Sequence, residues 1–195
     1  MSENAFESDD QKSKLPRTSA KKQPSVAIIG DSMVRGVGPY LKSDRIRKKI
    51  HNVDITGYVY PGQSSSQINS RIRNIPVSDV TVVMTGTCDI DDPDIPQCTE
   101  NLRRVVDNVS KKRPGKKVII CEIAQRIDKP HLNEKIEQVN FNLSDIVSKY
   151  RNVHLLEHDN AVEDFKNDGL HFSEEGTAKF GLNIRHILRD LKLLE

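Results

Sequence analysis

The sequence has no tryptophan, only three cysteines, and aromatic residues at just 5% of its 195 positions. No apolar run approaches the roughly 18 residues that a membrane-spanning helix requires. The opening from Met1 to Asp10 is acidic and lacks the basic and apolar regions of a secretory signal. These absences lead us to expect an intracellular protein, cytoplasmic or alternatively nuclear. Cys88, Cys98 and Cys121 are odd in number and lack paired metal-ligand spacing, which argues against a disulfide framework and a structural zinc site; reduced thiols are expected. Charge of one sign is also missing: 30 basic against 28 acidic side chains leave +2, too little to mark a nucleic-acid-binding protein by bulk charge.

What is present has a clear order. Residues 1–24 carry almost no apolar pattern and pass from acidic to basic through Lys12, Lys14, Arg17, Lys21 and Lys22. Such a segment buries too little surface to offset its ordering entropy, so a disordered tail is expected there, with one domain over 25–195. From Ser25 onward, short apolar runs alternate with stretches of helical period. The runs are Val26–Ile29, Val53–Val59, Val80–Met84, Val118–Ile123 and Val153–Leu156. Leu132, Ile136, Val139, Leu143, Ile146, Val147 and Tyr150 recur at helical spacing and mark one buried face. Leu102, Val105, Val106 and Val109 repeat that logic, as do Phe180, Ile184, Ile187, Leu188 and Leu191. Strand alternating with helix implies parallel strands, right-handed crossovers and helices on both sheet faces, a three-layer α/β/α sandwich. Ligands in such sheets bind beyond the carboxyl ends of the strands, near the point where strand order reverses.

Two segments at such positions carry reactive side chains. The first run leads into Gly30-Asp31-Ser32-Met33, which puts a serine hydroxyl at the strand end and at the start of the expected next helix, whose N–H groups would face an oxyanion. Either Ser32 or Asp31 could equally be a helix cap. Near the other terminus stands Asp168-Gly169-Leu170-His171. An Asp three residues before a His, across a glycine turn, can hold the ring Nδ1–H and leave Nε2 for a serine. Read alone, His171 is a surface or capping residue.

Taken together the two segments resemble the SGNH/GDSL hydrolases. Val26-Ala-Ile-Ile-Gly-Asp-Ser-Met33 is similar to that family's first block and Asp168-Gly-Leu-His171 to its last, in the right order and places. Pro61-Gly62-Gln63-Ser64 resembles the block whose glycine N–H serves the oxyanion hole, and Thr85-Gly86-Thr87-Cys88-Asp89 resembles Gly-x-Asn-Asp. The resemblance covers about 25–195. It implies a flavodoxin-like five-stranded parallel sheet, Ser32 as nucleophile, His171 as base and then acid, and Asp168 as the residue that orients it. Backbone N–H groups of Ser32 and Gly62 would bind the oxyanion. No cofactor and no metal are implied, and the substrate would be a small acyl ester or an acetylated compound. Cys88 departs from the pattern, standing where the family has an asparagine donor; a thiol donates weakly. That departure keeps open a second reading, a catalytically weakened binding module on the same scaffold.

Other features point less far. His154 and His158 are four apart but follow a strand run, a poor frame for a metal. Cys88 could act as a nucleophile only with a basic neighbour, and none is adjacent in sequence. Two basic stretches, Lys42, Arg45, Arg47, Lys48, Lys49 and Lys111, Lys112, Arg113, Lys116, Lys117, suit helix ends. If they shared a face with the tail they could touch nucleic acid or another polyanion. His51, His131 and His186 have no partners that suggest a role.

Overall fold

The computed structural model describes residues 23–43, 53–91 and 94–193. Residues 1–22, which hold nearly all of the expected tail, lie outside it, as do Arg45, Arg47, Lys48, Lys49 and His51. Among the described residues five strands and five α-helices alternate: β1 (Ser25–Gly30), α1 (Val37–Lys42), β2 (Asp54–Val59), α2 (Ser65–Ile72), β3 (Val80–Met84), α3 (Ile95–Lys112), β4 (Lys117–Cys121), α4 (Asn133–Val147), β5 (Val153–Leu156) and α5 (Glu174–Asp190). All strand pairs are parallel, in the order β2-β1-β3-β4-β5. This is the flavodoxin-like order that the resemblance implies, with its reversal between β1 and β3.

The alternation of side chains along β1 explains the three layers. Ala27 and Ile29 join the core beneath α2, α3 and α4 through residues such as Ile68, Val105 and Val139. Val26 and Ile28 face the other way, against Leu41 of α1 and Phe180, Ile184 and Leu188 of α5. Because both faces are covered, β3 is buried at every position and reads as an unbroken apolar run with one threonine. At roughly 25 cal/mol per Å² of apolar surface removed from water, these two cores supply the largest favourable contribution to folding.

Helix boundaries follow local chemistry. Ser64 and Gln67 form a reciprocal capping box at α2, in which the Ser64 N–H donates to Gln67 Oε1 at 2.9 Å. Ser173 Oγ accepts the Gly176 N–H at 3.1 Å and starts α5. Neither α1 nor α2 shows a long apolar period in the sequence; both are short and held by packing.

The entry into the first helix differs from the expectation. Ser32–Val34 is a single 3₁₀ turn capped by Asp31, whose Oδ1 accepts the Met33 N–H at 2.9 Å, and α1 begins only at Val37. The short turn carries little macrodipole, so the N–H groups nearest Ser32 act locally and not as the end of a long helix. The cap role considered for Asp31 is thus present, while Ser32 keeps its hydroxyl free for another partner.

Candidate active site

The last loop brings an acid and an imidazole to the serine across 139 residues of chain. His171 Nε2 lies 2.9 Å from Ser32 Oγ, and His171 Nδ1 lies 2.8 Å from Asp168 Oδ2. The other oxygen of Asp168 accepts the N–H groups of Leu170 at 3.0 Å and His171 at 2.9 Å. Hydrogen bonds from the His171 ring and from these two amides hold the Asp168 carboxyl at a pKa of about 2. With the Asp168 carboxylate at Nδ1, the geometry allows the ring proton to sit there and the Nε2 lone pair to face Ser32 Oγ.

The loop that carries both groups is docked on the chain after β4. The Gly169 carbonyl accepts two consecutive N–H groups, from Ile127 at 2.9 Å and Asp128 at 3.0 Å. Gly169 has a φ of +63°, and a Cβ there would lie 2.6 Å from the Asp128 nitrogen, so only glycine allows this approach. Behind it, the buried Arg126 makes a bidentate pair with Asp128, 2.7 Å on each arm, and its third nitrogen lies 3.6 Å from Asp91. Lys135 also donates to the Ile90 carbonyl. The loop after β4 and the base of α4 therefore fix both the acid–base loop and the loop after β3.

Gly62 and Cys88 follow β2 and β3, the two strands that flank β1, so their loops stand on either side of Ser32 at one edge of the sheet. Those loops are tied together by Asp89, which accepts Ser65 N–H and Ser65 O–H, both at 2.8 Å. Asn101 adds a third bond at 3.3 Å. Cys88 is exposed. Desolvation of the thiol, followed by the carboxylates of Asp31, Asp89 and Asp91, raises its pKa and keeps it protonated at neutral pH. Its surroundings thus work against a thiolate nucleophile. Asp31 itself is buried, which pushes its pKa up against the opposing effects of the Met33 N–H and Thr87.

The remaining candidates fall elsewhere. His154 is in β5, and His158 packs its ring against Phe172 and Phe180 at centroid distances of 5.9 and 5.1 Å. No group of three His, Cys, Asp or Glu side chains among the described residues could hold a metal ion. The second basic stretch does not form a patch: Arg113 is buried, Lys111 pairs with Asp107, and Lys116 pairs with Asp79 at 2.6 Å. It also sits at the amino end of β4, the sheet edge opposite the serine, so the expected polyanion contact finds no support. Among the described residues no helix is long and apolar enough to cross a membrane. Sequence reasoning missed Arg126, Asp128 and the Asp89–Ser65 tie, because each acts through a contact distant in the chain or through backbone geometry.

A five-stranded parallel sheet in this order, covered by helices on both faces, is the α/β/α fold of the SGNH hydrolases. The chain belongs to the GDSL-like lipase/acylhydrolase family, whose pattern matches residues 28–179. Its fold is similar to that of a lipase/acylhydrolase from Enterococcus faecalis, with 18% identity, coverage of 88% of this chain and 97% of that chain, and a TM-score of 0.72. A member of the lipolytic protein G-D-S-L family from Veillonella parvula gives 21%, 85%, 98% and 0.69 for the same measures. A carbohydrate esterase family 3 protein from Talaromyces cellulolyticus gives 15%, 88%, 100% and 0.70. No curated protein matches the sequence.

Proposed function

We propose that the protein hydrolyses carboxylic esters, as an esterase or deacetylase, through Ser32, His171 and Asp168. The observation that carries this reading is the continuous line from Asp168 through the ring of His171 to Ser32 Oγ, with contacts of 2.8 and 2.9 Å. In the first half-reaction Ser32 Oγ bonds to the acyl carbon and its proton passes to His171 Nε2. The carbon–oxygen bond to the alcohol then breaks, and the alcohol leaves with that proton. Water adds to the acyl-serine, gives a proton to His171, and the acid departs as Ser32 regains its hydrogen. Asp168 stays ionised throughout and stabilises the imidazolium. Backbone N–H groups of Ser32 and Gly62 serve the oxyanion, with Cys88 as a weak third donor.

The direct test compares hydrolysis of a short-chain p-nitrophenyl ester by the parent and by Ser32→Ala. Loss of turnover in the variant supports the assignment, and equal rates remove Ser32 from the reaction. The carbohydrate esterases of similar fold make an acetylated sugar the natural second substrate to assay.

Cys88 favours one further reading. Losing a single oxyanion donor costs on the order of 10²–10³ in turnover, so the scaffold could serve chiefly as a binding module. Ligand binding without acyl transfer at Ser32 distinguishes that case.

A further inference from the structure

Beside the serine and the imidazole opens a cavity of about 720 Å³, walled by the turn after β1, α1, the loop from Lys166 to Phe172 and the start of α5. Two cations line it, and each is joined through its backbone to one of the reacting residues. The Arg35 N–H donates to the Ser32 carbonyl at 3.2 Å, and the Lys166 N–H donates to the His171 carbonyl at 2.8 Å. Both side chains are exposed, and neither has an acidic partner among the described residues. The cavity's two acids are differently placed. Asp168 is already bound by the His171 ring and two amides. Glu174 lies in the first turn of α5, where the helix end balances its charge. Met33 and Phe172, both buried, supply an apolar wall.

We propose, resting on the hydrolase reading above, that this cavity selects esters carrying a negative charge, a carboxylate or phosphate group held between Arg35 and Lys166. Burial of the substrate body against Met33 and Phe172 lowers the local dielectric. The two cations on the cavity wall, with no acidic partner among the described residues, then favour an anionic substituent over a neutral one. The charge can sit on the acyl or the alcohol portion, and the two sources are separable.

The test measures kcat/KM at low salt for matched pairs. Phenyl butyrate is set against the monoanionic phenyl ester of glutaric acid, and phenyl acetate against 3-acetoxybenzoate. The expected result is a preference of roughly five- to tenfold for the anionic member of at least one pair, declining as salt is added. In an Arg35→Gln/Lys166→Gln variant the ratio within that pair falls toward one, and Arg35→Lys/Lys166→Arg restores it. A ratio taken within one protein preparation is insensitive to a misfolded fraction. Equal rates for both members of both pairs, in a parent that still turns them over, overturn the charge selection and leave the hydrolase reading standing. No turnover of any ester, with no fluorophosphonate adduct at Ser32, overturns the hydrolase reading and the charge selection with it.

Discussion

The carbonyl of Gly169 accepts the Asp128 N–H at 3.0 Å, and this bond seats the loop that bears Asp168 and His171. Everything the serine needs from that loop depends on a backbone approach that a side chain would block.

Gly169→Ala is therefore expected to combine strain at positive φ with a clash against Asp128. A loss of about 1–3 kcal/mol in denaturant unfolding is expected, together with a fall in kcat larger than the change in KM. Unchanged stability and kcat would show that the loop finds its place without this contact.

The triad makes a second expectation quantitative. Asp168→Asn removes the charge that holds the Nδ1 proton, and turnover should fall on the order of 10³–10⁴ while ester binding is retained. Circular dichroism and KM unchanged beside a collapsed kcat is the supporting pattern. A variant that turns over normally removes Asp168 from the reaction.

On the proposed oxyanion role of position 88, Cys88→Asn supplies an amide donor there. A rise in kcat of roughly tenfold or more is expected, with a ceiling near 10³. No rise in a well-folded variant would place the position outside the oxyanion hole.

A separate expectation concerns pH and stability. Burial against Phe172 and Phe180 lowers the pKa of His158 from 6.5 to about 4. Because the folded value is depressed, its stabilising contribution is complete above pH 6.5 and is lost as pH falls toward 4. The size is roughly 3 kcal/mol. His158→Phe keeps a ring in the packing and should flatten that part of the stability profile in unfolding curves at several pH values. An equally steep profile in the variant would assign the pH dependence to other groups.

Much of the fold was legible in the order of residues. The five apolar runs became β1 to β5 with ends shifted by at most two residues; the central strands β1, β3 and β4, covered on both faces, are apolar nearly throughout, while the edge strands β2 and β5 are not. The long periods before Tyr150 and around Phe180 became α4 and α5, each burying the one apolar face that the spacing marks. The placement of Ser32, Asp168 and His171 at loop ends could be read as well. What could not be read were contacts that depend on three-dimensional meeting: Arg126 with Asp128 and Asp91, and Asp89 with Ser65. The expected helix directly at Ser32 also failed, because Gly36, with a φ of +84°, separates the 3₁₀ turn from α1. The basic stretch around Arg113 does close α3, with Lys111 and Lys112 in its last turn, but a sequence shows charge and not burial, so the burial of Arg113 could not be read.

The most direct measurement is stoichiometric reaction with a fluorophosphonate followed by peptide mass mapping. The account requires one adduct per chain, located on Ser32 and formed far more slowly in His171→Ala. An unmodified Ser32 after prolonged exposure of folded protein, or an adduct forming equally fast without the imidazole, would contradict it.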